Sequence, residues 1–140
     1  MGAHTGPAPL RLKSHLSELT RVSAWLKVLS SSLHVPHATL YAIDLCLEEA
    51  LSNIIRHGYA GLEGTIVVRH LSIREGELLL MVEDAASPFD PRVAERPLAR
   101  GLDDVTVGGF GLELIRRFAT TVEYERVGTG NRLTLGFSWL

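Results

Sequence analysis

The run from Pro36 to Tyr59 reads as one long helix, and it constrains this chain more than any other stretch. Leu40, Ile43, Leu47, Ala50, Leu51 and Ile54 recur at the three- and four-residue spacing of a single buried face. Pro36 suits the first turn, and Gly58, in His57-Gly58-Tyr59, is the expected C-terminal stop. Glu49 and Asn53 stand four residues apart, so on a helix they share one face, one turn apart. Two readings of that pair stand at this point. One is a solvated pair at a helix border. The other is a carboxylate and a carboxamide pointing together into a pocket, where the first accepts a proton and the second holds a hard cation such as Mg²⁺.

The remaining elements follow in order. Residues 1–9 read as a loose leader. Leu10-Arg-Leu-Lys13 alternates as a short edge strand. Leu19, Val22, Leu26, Leu29 and Leu33 mark a first helix, with Ser14 or Ser17 as its cap. Thr65–Ile73 and Glu77–Glu83 read as two strands joined by a hairpin, the second apolar enough to be central and delivering Asp84 at its end. Residues 112–119 form an amphipathic helix, and Thr121–Arg126 and Arg132–Trp139 are two closing strands around the turn Gly128-Thr-Gly-Asn131. The chain of 140 residues suffices for one core and shows no internal boundary. The expected class is α+β: a two-layer sandwich of a mostly antiparallel mixed sheet with helices on one face.

A net charge of −2 gives no bulk reason to expect nucleic acid or an anionic membrane. No apolar run approaches the roughly 20 residues of a membrane span, and the N-terminus lacks the basic start and apolar core of a signal peptide. The single cysteine, Cys46, fits a reducing compartment and reads as a small core residue; a cytoplasmic location is expected.

Three polar features are spread along this framework. Glu49-x-x-x-Asn53 is the first. Asp84 before Ser87-Pro-Phe-Asp-Pro91 is the second: either a polar strand end, or a carboxylate that accepts from an exocyclic amine. Asp90 reads as a turn residue or cap. The third is Gly108-Gly-Phe-Gly111, which closes an aperiodic stretch from Ala85 and opens a helix. Such a stretch is often a lid. The glycines are either an ordinary turn or a place where backbone and helix N-terminus approach a phosphate. They form neither a Walker P-loop nor a Rossmann fingerprint.

Taken together, Glu49-x-x-x-Asn53, Asp84 with Pro88-Phe-Asp-Pro91, and Gly109-Phe-Gly-Leu112 resemble the N, G1 and G2 boxes of the GHKL (Bergerat-fold) ATPase superfamily. The run Glu48–Tyr59, and Tyr124-Glu-Arg126 leading to Gly130-Asn-Arg-Leu-Thr-Leu135, are similar to the stand-alone anti-sigma-factor serine/threonine kinases within it. The likeness extends from Leu10 to the end.

The resemblance implies ATP held between helices and sheet, under a lid of about residues 85–108. It makes Glu49 the general base toward a protein hydroxyl, Asn53 the Mg²⁺ ligand, and Asp84 the acceptor of the adenine amine, with Thr134 supporting the base. Ala86, Pro88 and Phe89 belong to the nucleotide site. Gly108, Gly109, Phe110, Gly111 and Leu112 shape its phosphate end. His57 either approaches the phosphates or finishes the helix. Arg100 is a solvated lid residue or a phosphate partner. One departure stands out: the usual Asp-x-Gly is Asp84-Ala85-Ala86 here, strained if residue 86 needs positive φ and cheap if it does not.

The implied partners are an anti-anti-sigma (STAS-domain) protein as phosphorylation target and a sigma factor as bound protein. A homodimer would leave part of the first helix and strand as its surface. The alternative is a switch of the same fold that holds ATP, or nothing, without catalysis. The first helix, Ser17–Ser32, contains no histidine, so a self-phosphorylating sensor kinase is not expected, nor is the transducer domain of gyrase-like members.

Overall fold

The computed structural model describes residues 6–31, 33–92 and 107–140, with the side chains of residue 72 and residues 107–112 outside the description. Five strands form one sheet: β1 (Leu10–Lys13), β2 (Thr65–Arg74), β3 (Glu77–Asp84), β4 (Thr121–Val127) and β5 (Gly130–Ser138). Three helices accompany it: α1 (Thr20–Ser30, after a 3-10 turn at Leu16–Leu19), α2 (His37–Asn53) and α3 (Val107–Phe118). The strand order is β1-β2-β3-β5-β4. Every pairing among the described residues is antiparallel. Because β5 lies between β3 and β4, those two run in the same direction, and the connection through α3 crosses over to the sheet edge.

Period-two alternation decides which sheet face meets the helices. Leu10 and Leu12, Ile66 and Val68, and Leu78, Leu80 and Val82 all point into one core. Leu133, Leu135 and Phe137 complete the sheet side of it. The helices answer with Val22, Trp25, Leu26 and Leu29 from α1 and with Ile43, Cys46, Leu47, Ala50 and Leu51 from α2. The opposite sheet face carries a charge ladder, Arg69–Glu83 at 2.9 Å, Glu83–Arg132 at 3.4 Å and Arg132–Glu125 at 3.3 Å. No helix among the described residues is long and apolar enough to cross a membrane.

Several local expectations change. Neither Ser14 nor Ser17 caps the first helix. The Ser14 hydroxyl instead donates to Leu62 O at 2.8 Å and accepts from Gly64 N at 3.0 Å, which ties β1 to the turn before β2. Gly58 does not stop α2. The helix passes into a π-helical segment, Ile54–Tyr59, and ends where Ala60 (φ 51) and Gly61 (φ 92) take up positive φ. Gly58 is needed inside that segment, because a Cβ there would lie 2.9 Å from the Ala86 Cβ. Helix α3 begins at Val107, five residues before the expected Leu112, so the glycines fall within its first turns. Residues 6–9, expected as leader, are held by Trp25 Nε1 donating to Ala8 O at 2.9 Å, with His70 Nε2 lying 3.2 Å from Pro7 O.

Candidate nucleotide site

The site forms where α2, the π-helical segment, the end of β3 and the β4–β5 hairpin converge. Ala50, Asn53 and Ile54 wall one side of a small cavity, and Asp84 lines it from the end of β3. Phe89 and Pro91 close it from the loop, and Tyr124, Asn131 and Leu133 from the hairpin. Glu49 and Asn53 do lie together on α2. Both carry a buried polar atom without a partner among the described residues, Glu49 Oε2 and Asn53 Nδ2. Ser52 Oγ beside them is in the same state. Native interiors rarely leave such atoms bare; of these three residues Asn53 lines the cavity, and Glu49 and Ser52 do not. Burial raises the Glu49 pKa; the Arg56 charge opposes this and the Glu48 charge adds to it. Cys46, one turn earlier, is fully buried and its thiol is pushed up to about 12 by burial, then by Glu49, so it is an inert core residue.

Asp84 is the second fixed point. Its Oδ1 accepts from Asn131 Nδ2 and from Ala86 N, each at 2.8 Å, while Oδ2 has no hydrogen bond among the described residues. Burial raises its pKa, against the lowering effects of those two bonds and of Arg126. The turn that follows is held from both layers. Ala85 N donates to Tyr59 Oη at 2.9 Å, and Ser87 N to Gly58 O at 3.3 Å. Asn131 Nδ2 and Arg126 Nη1 reach the Ala86 carbonyl at 3.2 and 2.7 Å. Ala86 itself is buried and does not have positive φ, so alanine at this position carries no backbone strain.

Other expected site residues fall differently. Thr134 faces away from the cavity. It pairs with Met81 and Glu123 and borders a cleft with Arg132 and Glu125 on the charged sheet face, because it stands three positions from Asn131 in an alternating strand. The residue that meets Asp84 in register is Asn131. Phe89 lines the cavity while Pro88 is exposed and outside it. His57 is exposed and stacks on Phe89, ring centroids 6.0 Å apart and planes 15° from parallel. Asp90 closes a turn, accepting from Arg92 N at 2.9 Å and pairing with the Arg92 guanidinium, which holds its pKa down. Gly108, Gly109, Phe110, Gly111 and Leu112 are helical; the amides free at such a terminus include those of Gly108 and Gly109 but not of Gly111 or Leu112. Arg100, like residues 93–106 of the expected lid of about 85–108, lies outside the described residues.

The sequence placed Asn131 in a turn and counted Tyr59, Tyr124 and Arg126 in the runs that carry the resemblance, but it gave none of them a role in the site. One signal was present. Asn131 shares a strand face with Leu133, Leu135 and Phe137, and a lone amide in an apolar stripe needs buried partners. Gly130 carries a related constraint, since a Cβ there would overlap the Asp84 carbonyl oxygen. Gly130→Ala is expected to cost about 2 kcal/mol and to lower Tm by roughly 5–10 °C in a thermal melt. An unchanged Tm would mean that the strands separate freely here.

A helix carrying a carboxylate and an amide, packed on a sheet that presents an aspartate, is the arrangement that the sequence resemblance to the kinase-like ATPases implies. Residues 12–137 match the model of the histidine kinase-like ATPase domain. The chain is 39% identical over 98 residues, 68% of each protein, to the serine/threonine-protein kinase BtrW of Bordetella bronchiseptica. Among solved structures it is similar to the histidine kinase domain of the blue-light activated histidine kinase EL346 of Erythrobacter litoralis (TM-score 0.55, 18% identity). It is also similar to the RsbU and RsbW domains of Rv1364c from Mycobacterium tuberculosis (TM-score 0.61, 15% identity). It covers 88% and 94% of its own length in these two matches, and 60% and 32% of those chains. The chain belongs to the histidine kinase-like ATPase domain family.

Proposed function

We propose that this chain is an ATP-dependent serine/threonine protein kinase of the anti-sigma-factor type. In this reading it phosphorylates an anti-anti-sigma (STAS-domain) protein and binds a sigma factor. The observation that carries the catalytic part is the pair of unpartnered buried atoms on one helix face, Glu49 Oε2 and Asn53 Nδ2. Likeness to BtrW supports the substrate class.

The donor set fits the groups the reading needs. The bare end of the Asn53 carboxamide would suit a hard cation such as Mg²⁺ through its oxygen, the oxygen and nitrogen being exchangeable by a flip. Bound Mg²⁺ would neutralise charge on the transferring phosphoryl group. Glu49 accepts the proton of the serine or threonine hydroxyl as its oxygen attacks the γ-phosphorus and ADP departs. Asp84 Oδ2 accepts from the adenine amine, and Ile54, Phe89 and Leu133 give the base apolar contact.

Calorimetric titration with ATP, with and without Mg²⁺, tests the reading. Saturable binding tightened on the order of tenfold by Mg²⁺ is expected. In Asn53→Ala that gain should disappear while metal-free binding persists; equal losses would make Asn53 structural. Absence of binding at millimolar ATP would favour the nucleotide-free switch.

A further inference from the structure

Arg126 stands on the edge strand β4, and as a residue it is exposed. Its guanidinium nevertheless reaches inward, with Nη1 donating to the Ala86 carbonyl at 2.7 Å and to Asn131 Oδ1 at 3.2 Å. An arginine can only donate, so it dictates which end of the Asn131 amide it meets. Oδ1 faces Arg126 while Nδ2 faces Asp84 Oδ1, Ser87 O and Ala86 O, so the cation on one side and the acceptors on the other select the same direction of the amide. The reversed amide would set an oxygen against a carboxylate and an NH₂ against a guanidinium. The Tyr124 hydroxyl, also hydrogen-bonded to Oδ1, makes no such selection, because a hydroxyl donates or accepts.

Arg126 has a second effect. Asn131 Nδ2 carries two hydrogens but has three acceptors near it: Asp84 Oδ1 at 2.8 Å, Ser87 O at 3.0 Å and Ala86 O at 3.2 Å. Arg126 serves the Ala86 carbonyl at the shorter distance. That leaves both amide hydrogens for Ser87 O and for Asp84 Oδ1, and it leaves Oδ2 of Asp84, a residue that lines the cavity, without a hydrogen bond among the described residues.

We propose that Arg126 is a positioning residue for recognition of the adenine amine, acting by fixing the direction of the Asn131 amide that holds Asp84. This rests on the adenine-nucleotide reading above. It makes selection of a base with an exocyclic amine depend on a cation outside the pocket.

Calorimetry on the full chain with ATP and with purine riboside triphosphate, which lacks only the 6-amino group, provides the test. The unmodified chain should prefer ATP. Arg126→Met should weaken ATP binding about tenfold, the size of one charge-assisted hydrogen bond, and purine riboside triphosphate by less than about twofold. Arg126→Lys, still a donor-only cation, should restore most of the preference. Arg126→Gln, which donates or accepts, should lose it in the same sense as methionine, and it carries the test should the methionine variant fail to fold. Equal weakening of both nucleotides would mean general loosening and would overturn the proposal, as would an unchanged preference in Met and Gln. If the unmodified chain binds neither nucleotide, or both alike, the adenine reading fails together with this one.

Discussion

Glu49→Gln should abolish phosphoryl transfer to a protein hydroxyl by about 10²–10⁴-fold, the range of a lost general base, while ATP affinity stays within about threefold of its original value. Glutamine preserves the size and the buried position but cannot take up the proton. Transfer measured with radiolabelled ATP and a STAS-domain protein, beside a binding titration, separates the two quantities. Unchanged transfer would exclude Glu49 as the base. A pH profile adds a second signature. Burial raises the Glu49 pKa above its ordinary 4.5, so the active, ionised form is lost as pH falls through the raised value. The linked stability runs the other way: a carboxyl that binds its proton more tightly when folded stabilises the fold less as pH rises through that window. Acid should therefore silence the kinase without unfolding the chain on account of this group, and the glutamine variant should lack this group's contribution to the pH dependence of stability.

Asp84→Asn is expected to weaken ATP by roughly 10²-fold, because a donor would then meet the adenine amine where an acceptor stood. The fold should survive. The new amide oxygen can take over the bonds from Asn131 Nδ2 and Ala86 N, and the substitution removes a carboxylate whose charge burial disfavours. Purine riboside triphosphate should be affected much less. In the unmodified chain, ATP affinity should fall as pH drops through the raised Asp84 pKa, since protonation turns Oδ2 into the same kind of donor. Equal losses for both nucleotides would place Asp84 outside base recognition.

How legible all this was in the sequence depended on how local each signal is. Strands β1 and β2 and the face of α2 follow from alternation and helical spacing: β1 keeps its expected bounds, β2 gains Arg74, and α2 starts one residue later and gives way to the π-helical segment after Asn53. Glu49 and Asn53 fall on one face because four residues make about one turn. Ends set by distant contacts were not legible. Gly58 resembles a helix stop, but its missing Cβ answers the approach of Ala86, 28 positions later. Ser14 resembles a cap, yet it bonds Leu62 and Gly64 across the β1–β2 junction. Thr134 and Asn131 could have been separated. In Asn131-Arg-Leu-Thr-Leu135 the apolar positions share the parity of Asn131, so Thr134 belongs with Arg132 on the other face. Which of those residues meets Asp84, however, needs the strand register, and that is a property of β3 and β5 together.

The π-helical segment Ile54–Tyr59 makes the chain length itself part of the site. Such a segment is equivalent to one residue inserted into an α-helix. Deleting any one of its members would allow the backbone to relax to ordinary helical winding, and everything beyond would rotate by about 100°. Glu49 and Asn53, upstream, would keep their places. Tyr59 and Gly58 would swing off the turn after Asp84, which they now hold through Ala85 N and Ser87 N. Point substitutions can therefore accumulate along this stretch wherever side-chain size permits, but a codon lost here would part the two halves of the cavity.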